Sequence, residues 1–401
     1  MGQQLYVPWG GWSGGGGDPI AAVGDHRRGN APYESVAMAV ETDQSGPLVK
    51  RRSSRLGVLL ALFVVLAGRV PPPDAGAAQG AEELPLPPRQ PPSGPGGAAG
   101  RFEEVVVTRS GSAPLGFWLF EPAGPVDQNR GDADNPLPLV LFLHGFTAVD
   151  PERYRLWIDH IVRRGAVVVY PDYQRATPLG DDWSTFLPNT IGAVRSALAS
   201  LRSSGGGNVD LTRLAVVGHS LGGVLAIGYA AVASAARVPP ADVVMAVEPG
   251  GCGGCPPLSE GQGAPLPDLA RVPATTKLLV LVGDADNVVG DGAAKRIWAG
   301  TTSVPAADRD YVTVVSDHHG SPPLRADHLF PQTKGRGSTT DALDWFGAWK
   351  LLDLLIDCAY DGLDCDDALG GSIRQRTMGT WSDGTPVAEL RVSDGPAASN
   401  R

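Results

Sequence analysis

From residue 101 onward this chain has no stretch basic enough to grip nucleic acid. The 401 residues carry 33 lysines and arginines against 43 acidic residues, and positions 1–100 hold eight of each. The net charge of −10 therefore belongs entirely to residues 101–401. An acidic globular segment without a basic patch lacks the electrostatic footprint of a nucleic-acid binder. An apolar run long enough to cross a bilayer is lacking too. Leu56 to Gly68 is about a dozen residues, against the roughly 18–20 that a spanning helix needs, so no stable membrane span is expected. Cysteine is scarce, with four residues in two local pairs, Cys252/Cys255 and Cys358/Cys365. Cys252-Gly253-Gly254-Cys255 follows a strand rather than opening a helix, where a redox thiolate would be stabilised. The second pair is too widely spaced for a zinc knuckle. Two structural disulfides, Cys252–Cys255 and Cys358–Cys365, are expected, and no metal.

Hydrophobic periodicity is missing from the first hundred residues. Residues 1–49 are of low complexity, with glycine from Gly14 to Gly17, and 79–100 form a linker rich in proline and glycine. Such composition buries too little apolar surface to offset ordering entropy, so both are expected to be disordered. Residues 50–78 read differently. A basic start, Lys50-Arg51-Arg52, precedes the apolar Leu56–Gly68 run and the small residues Ala75-Gly76-Ala77-Ala78. That order describes a secretory signal peptide and predicts a secreted or extracytoplasmic protein, anchored to the membrane if the segment stays uncleaved. The long stretch ahead of it suggests that synthesis starts at Met38, which leaves translation of residues 1–37 open.

From residue 101 strand and helix signals alternate. Phe102–Thr108 and Leu115–Phe120 read as an opening antiparallel pair. Leu139–Leu143 is uninterruptedly apolar, as a strand covered on both faces should be. Helical spacing over Glu152–Arg164 precedes strand Val167–Tyr170 and helix Pro188–Leu201. Strands at Leu214–Val217, Val243–Val247, Lys277–Val282 and Tyr311–Val315 come next, with a helix at Gly292–Trp298. An amphipathic helix over Asp341–Cys358 closes the series. The alternation predicts an α/β fold over residues 101–373 with a mostly parallel, doubly wound sheet. The tail, 374–401, predicts a hairpin turning at Ser382-Asp383-Gly384.

The most informative motif is Gly218-His219-Ser220-Leu221-Gly222, between the apolar run Leu214–Val217 and the helical Val224–Ala230. A G-x-S-x-G turn joining strand to helix strains the serine backbone and lifts its hydroxyl to the top of the sheet. Ser220 is the expected nucleophile. A serine hydroxyl needs a positioned base, oriented in turn by a carboxylate, and in this sheet type the order is serine, acid, histidine. Strand Leu278–Val282 runs into Gly283-Asp284-Ala285-Asp286, where spacing favours Asp286 over Asp284 as the orienting acid. Strand Tyr311–Val315 runs into Ser316-Asp317-His318-His319. His319, four residues past the last valine, is the preferred base, with His318 its close rival and His328 an outsider. The oxyanion of an acyl-transfer intermediate needs two donors. The N–H of Leu221 supplies one, and that of Phe146, after Leu139–Leu143 in His144-Gly145-Phe146-Thr147, supplies the other. His144 and Glu248 read as structural hydrogen-bonding residues, and Trp183 and Tyr173 as either substrate walls or packing.

Together these four motifs resemble the α/β-hydrolase superfamily, over roughly residues 102–358, in the neighbourhood of chlorophyllases, polyester hydrolases and dienelactone hydrolases. The resemblance implies a serine hydrolase cleaving small-molecule or polymeric carboxylic esters through an acyl-enzyme, with no cofactor. An acyltransferase using the same intermediate, or a non-catalytic envelope binding protein on this fold, are the alternatives. Where the family often has a helical lid, Glu248–Pro273 is rich in glycine and proline, so an open cleft without a large lid domain is expected.

Overall fold

The computed structural model describes residues 83–125, 136–175, 180–203, 209–256, 258–259, 261–335 and 337–396. The leader, the signal segment and the proposed start at Met38 lie outside the described residues. Among the described residues one sheet of nine strands organises the domain. Strands β1 (Phe102–Ser110) and β2 (Phe117–Pro125) pair antiparallel, and β2 meets β4 (Val167–Pro171) antiparallel. From β4 the sheet runs parallel through β3 (Leu137–Leu143), β5 (Val209–His219), β6 (Val243–Val247), β7 (Lys277–Gly283) and β8 (Arg309–Val314).

The central strands are apolar at successive positions because both faces are covered. Along β3, Leu139, Leu141 and Leu143 enter the core beneath α2 (Phe186–Ser203) and α3 (Leu221–Ala236). Val140 and Phe142 enter the opposite core, with Trp157 of α1 (Arg155–Arg164) and Leu351, Leu352, Leu354 and Leu355 of α5 (Lys350–Asp361). Helix α4 (Gly292–Gly300) adds Ile297 to the first core. The closing segment is not one α-helix: Leu343–Trp349 winds as a wider π-helical turn before α5 begins. Within it Asp344 is fully buried, and its Oδ2 accepts the Asp341 amide at 2.9 Å.

One expectation about the flanks needs correcting. The segment from Glu83 to Gly100 has no regular secondary structure, yet it is laid along the domain rather than disordered. Ser321 N donates to Pro85 O at 2.9 Å, Ser382 N to Leu86 O at 3.0 Å, and Gly96 N to Asp353 Oδ2 at 2.7 Å. These backbone partners replace a core of its own. The tail does turn at Ser382-Asp383-Gly384, and it packs on the domain. A short helix at Ile373–Arg376 leads to a tight turn around Asp383-Gly384, bridged at Thr380 and Pro386. Arg391–Ser393 then joins β8 antiparallel as edge strand β9. Trp381 drives this arrangement: it is buried, and its Nε1 donates to Asp317 Oδ2 at 3.1 Å.

Both cysteine pairs are disulfides, with Cα–Cα separations of 5.3 Å for Cys252–Cys255 and 4.7 Å for Cys358–Cys365. Among the described residues no helix is long and apolar enough to cross a membrane.

Candidate active site

The turn between β5 and α3 is the most constrained point of the backbone. Ser220 has φ 57° and ψ −121°, a region that costs a non-glycine residue about 1–3 kcal/mol and persists only where its surroundings enforce it. Here Ser220 N donates to Val247 O at 2.9 Å, while Ser220 O accepts from Gly223 N at 2.9 Å and Gly250 N at 3.1 Å. A Cβ at position 218 would collide with the backbone of Gly222, and one at 222 with the backbone of Leu143. Both must be glycine for strand and helix to close this tightly, and the result sets the serine at the carboxyl edge of the sheet.

A continuous hydrogen-bonded line starts at that serine. Ser220 Oγ is 3.0 Å from His328 Nε2, and His328 Nδ1 is 2.8 Å from Asp286 Oδ2. The other Asp286 oxygen accepts the amides of Val288 at 2.9 Å and Val289 at 3.0 Å. Burial acts to raise the Asp286 pKa, but the His328 hydrogen bond, the imidazole's charge and the two amides outweigh it, so the carboxyl is held below its ordinary value. An ionised Asp286 fixes the proton of His328 on Nδ1 and turns the Nε2 lone pair towards the hydroxyl.

The structure brings Ser220 and Asp286 to one histidine, and that histidine is His328, not His319. Beyond β8 the chain makes a narrow excursion. Asp317 and Leu324 exchange both backbone hydrogen bonds at 2.8 Å, which leaves His318 and His319 exposed beyond the bridge. His319 Nε2 instead lies 2.8 Å from Asp383 Oδ2 on the C-terminal turn. The chain then returns along the sheet edge, where Ala326 O accepts from Ala285 N at 3.0 Å, and delivers His328 over the serine. The sequence signal for the excursion was the pair Pro322-Pro323, which separates the exposed histidines from His328. Asp284 takes another part, accepting Ser316 N at 3.0 Å and Ser316 Oγ at 2.5 Å to pin the ends of β7 and β8.

Leu221 opens α3, where first-turn N–H groups have no intrahelical partner. Phe146 follows Gly145 on the facing loop, and both residues line the cleft that holds Ser220 and His328. That cleft, about 350 Å³, is walled by Phe146, Trp183, Leu221, Val288, Val289 and Leu329. Phe146 and Trp183 stack with ring centroids 4.7 Å apart. Tyr173 lies behind the wall, fully buried with its hydroxyl on His144 O. His144 stacks on Tyr173 at 4.1 Å, its Nδ1 2.7 Å from Gly145 O, and burial brings its pKa down to about 4. It braces the loop that carries Phe146 as a neutral ring.

Beneath the triad, Glu248 is fully buried at a positive φ of 42° and neither carboxyl oxygen has a well-formed hydrogen bond. Burial pushes its pKa well up, with the Asp286 charge adding to the effect. Ligand atoms of His219, Glu248 and His328 lie within 4.8 Å of one another. His328 Nδ1 is nevertheless committed to Asp286 and His219 Nε2 to a backbone carbonyl 2.9 Å away, so these rings offer a metal no free lone pair here.

No protein-family profile matches the chain, and no curated protein matches its sequence.

Proposed function

We propose that this chain is a serine hydrolase of the α/β-hydrolase fold that cleaves carboxylic esters through an acyl-enzyme and acts outside the cytoplasm. The observation carrying this reading is the line Ser220–His328–Asp286 at the carboxyl edge of a mostly parallel sheet. The strand order, the antiparallel β2 and the strained serine between β5 and α3 support the fold. The two disulfides and the signal-like segment support export.

In the proposed mechanism Ser220 Oγ attacks the ester carbonyl carbon as His328 Nε2 takes the hydroxyl proton. The carbonyl oxygen becomes an oxyanion facing the Phe146 and Leu221 amides, where each donor is typically worth about 2.7–4 kcal/mol. Collapse of the tetrahedral intermediate breaks the carbon–oxygen bond to the alcohol, which leaves with the proton from His328. Water then enters, gives its proton to His328 and attacks the acyl carbon. The second collapse releases the acid and returns the proton to Ser220. The apolar cleft walls suit an ester with apolar or bulky groups on either side of the carbonyl.

The test is covalent labelling of the folded protein by an organophosphonate, lost in Ser220→Ala, together with turnover of p-nitrophenyl esters of increasing chain length. Correctly folded protein that neither labels nor turns over any ester would refute the reading.

A further inference from the structure

His219, the variable residue of the G-x-S-x-G turn, has a side chain that no step of the proposed reaction uses. It is 1% exposed and lies beneath Ser220 between two loops. On one side Tyr154 OH is 2.8 Å from His219 Nδ1, and the same hydroxyl accepts the Gly145 amide at 3.0 Å. On the other side His219 Nε2 is 2.9 Å from the backbone carbonyl of His328. A carbonyl can only accept, so Nε2 carries the hydrogen and Nδ1 must accept from the tyrosine. The directions are therefore determined along the whole line. Gly145 N–H donates to Tyr154 OH, Tyr154 donates to His219 Nδ1, and His219 donates to the His328 carbonyl. Its ends are the residue before the oxyanion donor Phe146 and the residue that bears the base.

Resting on the hydrolase reading, we propose that His219 is a positioning residue which, with Tyr154, ties the oxyanion segment to the backbone of His328 and sets the distance between the two halves of the site. The groups facing the ring are Tyr154, His328 and Glu248, whose Oε2 is 3.5 Å from Nε2. Burial holds the imidazole neutral, with the neighbouring His328 adding to that effect, so it keeps one donor and one acceptor. A protonated His219 would have two donors, and the Tyr154 link would then need its hydroxyl to reverse. The physical case for an effect on rate is geometric. Attack and proton transfer occur at one carbon and one oxygen, and a displacement of about 1 Å between oxyanion donors and base can cost about a hundredfold.

The experiment compares His219→Leu, His219→Gln and Tyr154→Phe in the full chain, measuring kcat, KM, the pH–rate profile and circular dichroism with one p-nitrophenyl ester. His219→Leu is expected to lower kcat about tenfold to a hundredfold with KM changed less than about threefold, the signature of lost transition-state geometry. The acid limb of its pH profile should shift, because the surroundings of the base change. His219→Gln can accept from Tyr154 and donate to the carbonyl, so it should recover most of the loss, a rescue that volume alone does not provide. Tyr154→Phe removes one oxygen and should lower kcat about tenfold, and combining it with His219→Leu should add little, since both break the same line. Wild-type kcat in His219→Leu or in Tyr154→Phe overturns the relay, and Tyr154→Phe decides alone if His219→Leu does not fold. Failure of the unaltered protein to turn over any ester overturns the hydrolase reading and the relay with it, so the wild-type control separates the two failures.

Discussion

His328 reaches Ser220 across 108 residues of chain, with Nε2 3.0 Å from Oγ. His319, nine positions earlier, faces Asp383 at 2.8 Å instead. The two histidines should therefore behave oppositely on substitution. His328→Ala is expected to lower kcat by about four to six orders of magnitude, as loss of a triad base does. His319→Ala should leave turnover within about twofold and stability nearly unchanged, because its contact with Asp383 is solvent-exposed. Steady-state kinetics on the two purified variants checks this, and equal losses would contradict the assignment of the base.

His144 should make stability depend on pH in one direction. Its folded pKa is about 4 against an ordinary 6.5, so below pH 6.5 the unfolded chain binds a proton that the folded ring refuses. Stability conferred by the neutral ring is complete above that value and falls on acidification towards pH 4. Relative to His144→Gln, which does not titrate, the protein should lose about 3 kcal/mol across this window. Urea unfolding of both forms at several pH values measures the difference.

Asp353 should matter more for stability than for chemistry. Its side chain is 3% exposed and takes the Gly96 amide at 2.7 Å, His160 Nε2 at 2.8 Å and Arg164 Nε at 3.2 Å. Asp353→Ala leaves these donors facing one another and should cost about 3–5 kcal/mol. Removing residues 1–100 takes away the Gly96 contact and the pairings at Pro85 and Leu86, and should also lower the urea midpoint. In both cases kcat at a temperature where the protein stays folded should change little.

The disulfides should separate by location. Each closes a short loop and should contribute about 2–3 kcal/mol. Replacing Cys358 and Cys365 with serine ought to lower the melting temperature and leave KM unchanged, since that pair sits at the end of α5. Replacing Cys252 and Cys255 should also raise KM, because Gly250 and Gly251, which line the cleft, lead directly into this loop.

Trp183 should govern substrate size. Stacked on Phe146 with one face to the cleft, it offers apolar contact beside the nucleophile. Trp183→Ala is expected to raise KM about tenfold or more for long-chain or aromatic esters, with a smaller effect on acetate esters. A chain-length series on the variant distinguishes a substrate wall from a packing residue, which would alter the melting temperature but not the chain-length preference.

Local chemistry settled a good deal of this protein. The apolar runs of β3, β5 (Leu214–Val217), β6 and β7 (Leu278–Val282) were legible because a stretch buried on both faces has no polar positions to obscure it. The strand-to-helix turn at Ser220 was legible because only glycine fits at 218 and 222, and the cysteine pairs because their partners are close along the chain. What spacing could not reveal was decided by backbone pairing and tertiary contacts. Pairing of Asp317 with Leu324, around a loop that holds Pro322-Pro323, turns the doubled histidine outwards and advances His328 to the serine. The proline-rich stretch before residue 101 has too few apolar side chains to form a core, yet it finds order by lending its amides and carbonyls to Asp353, Ser321 and Ser382. Backbone geometry and burial are written in the nearest few residues, whereas the choice of base and the docking of the strap depend on hydrogen bonds that exist only once the chain has closed on itself.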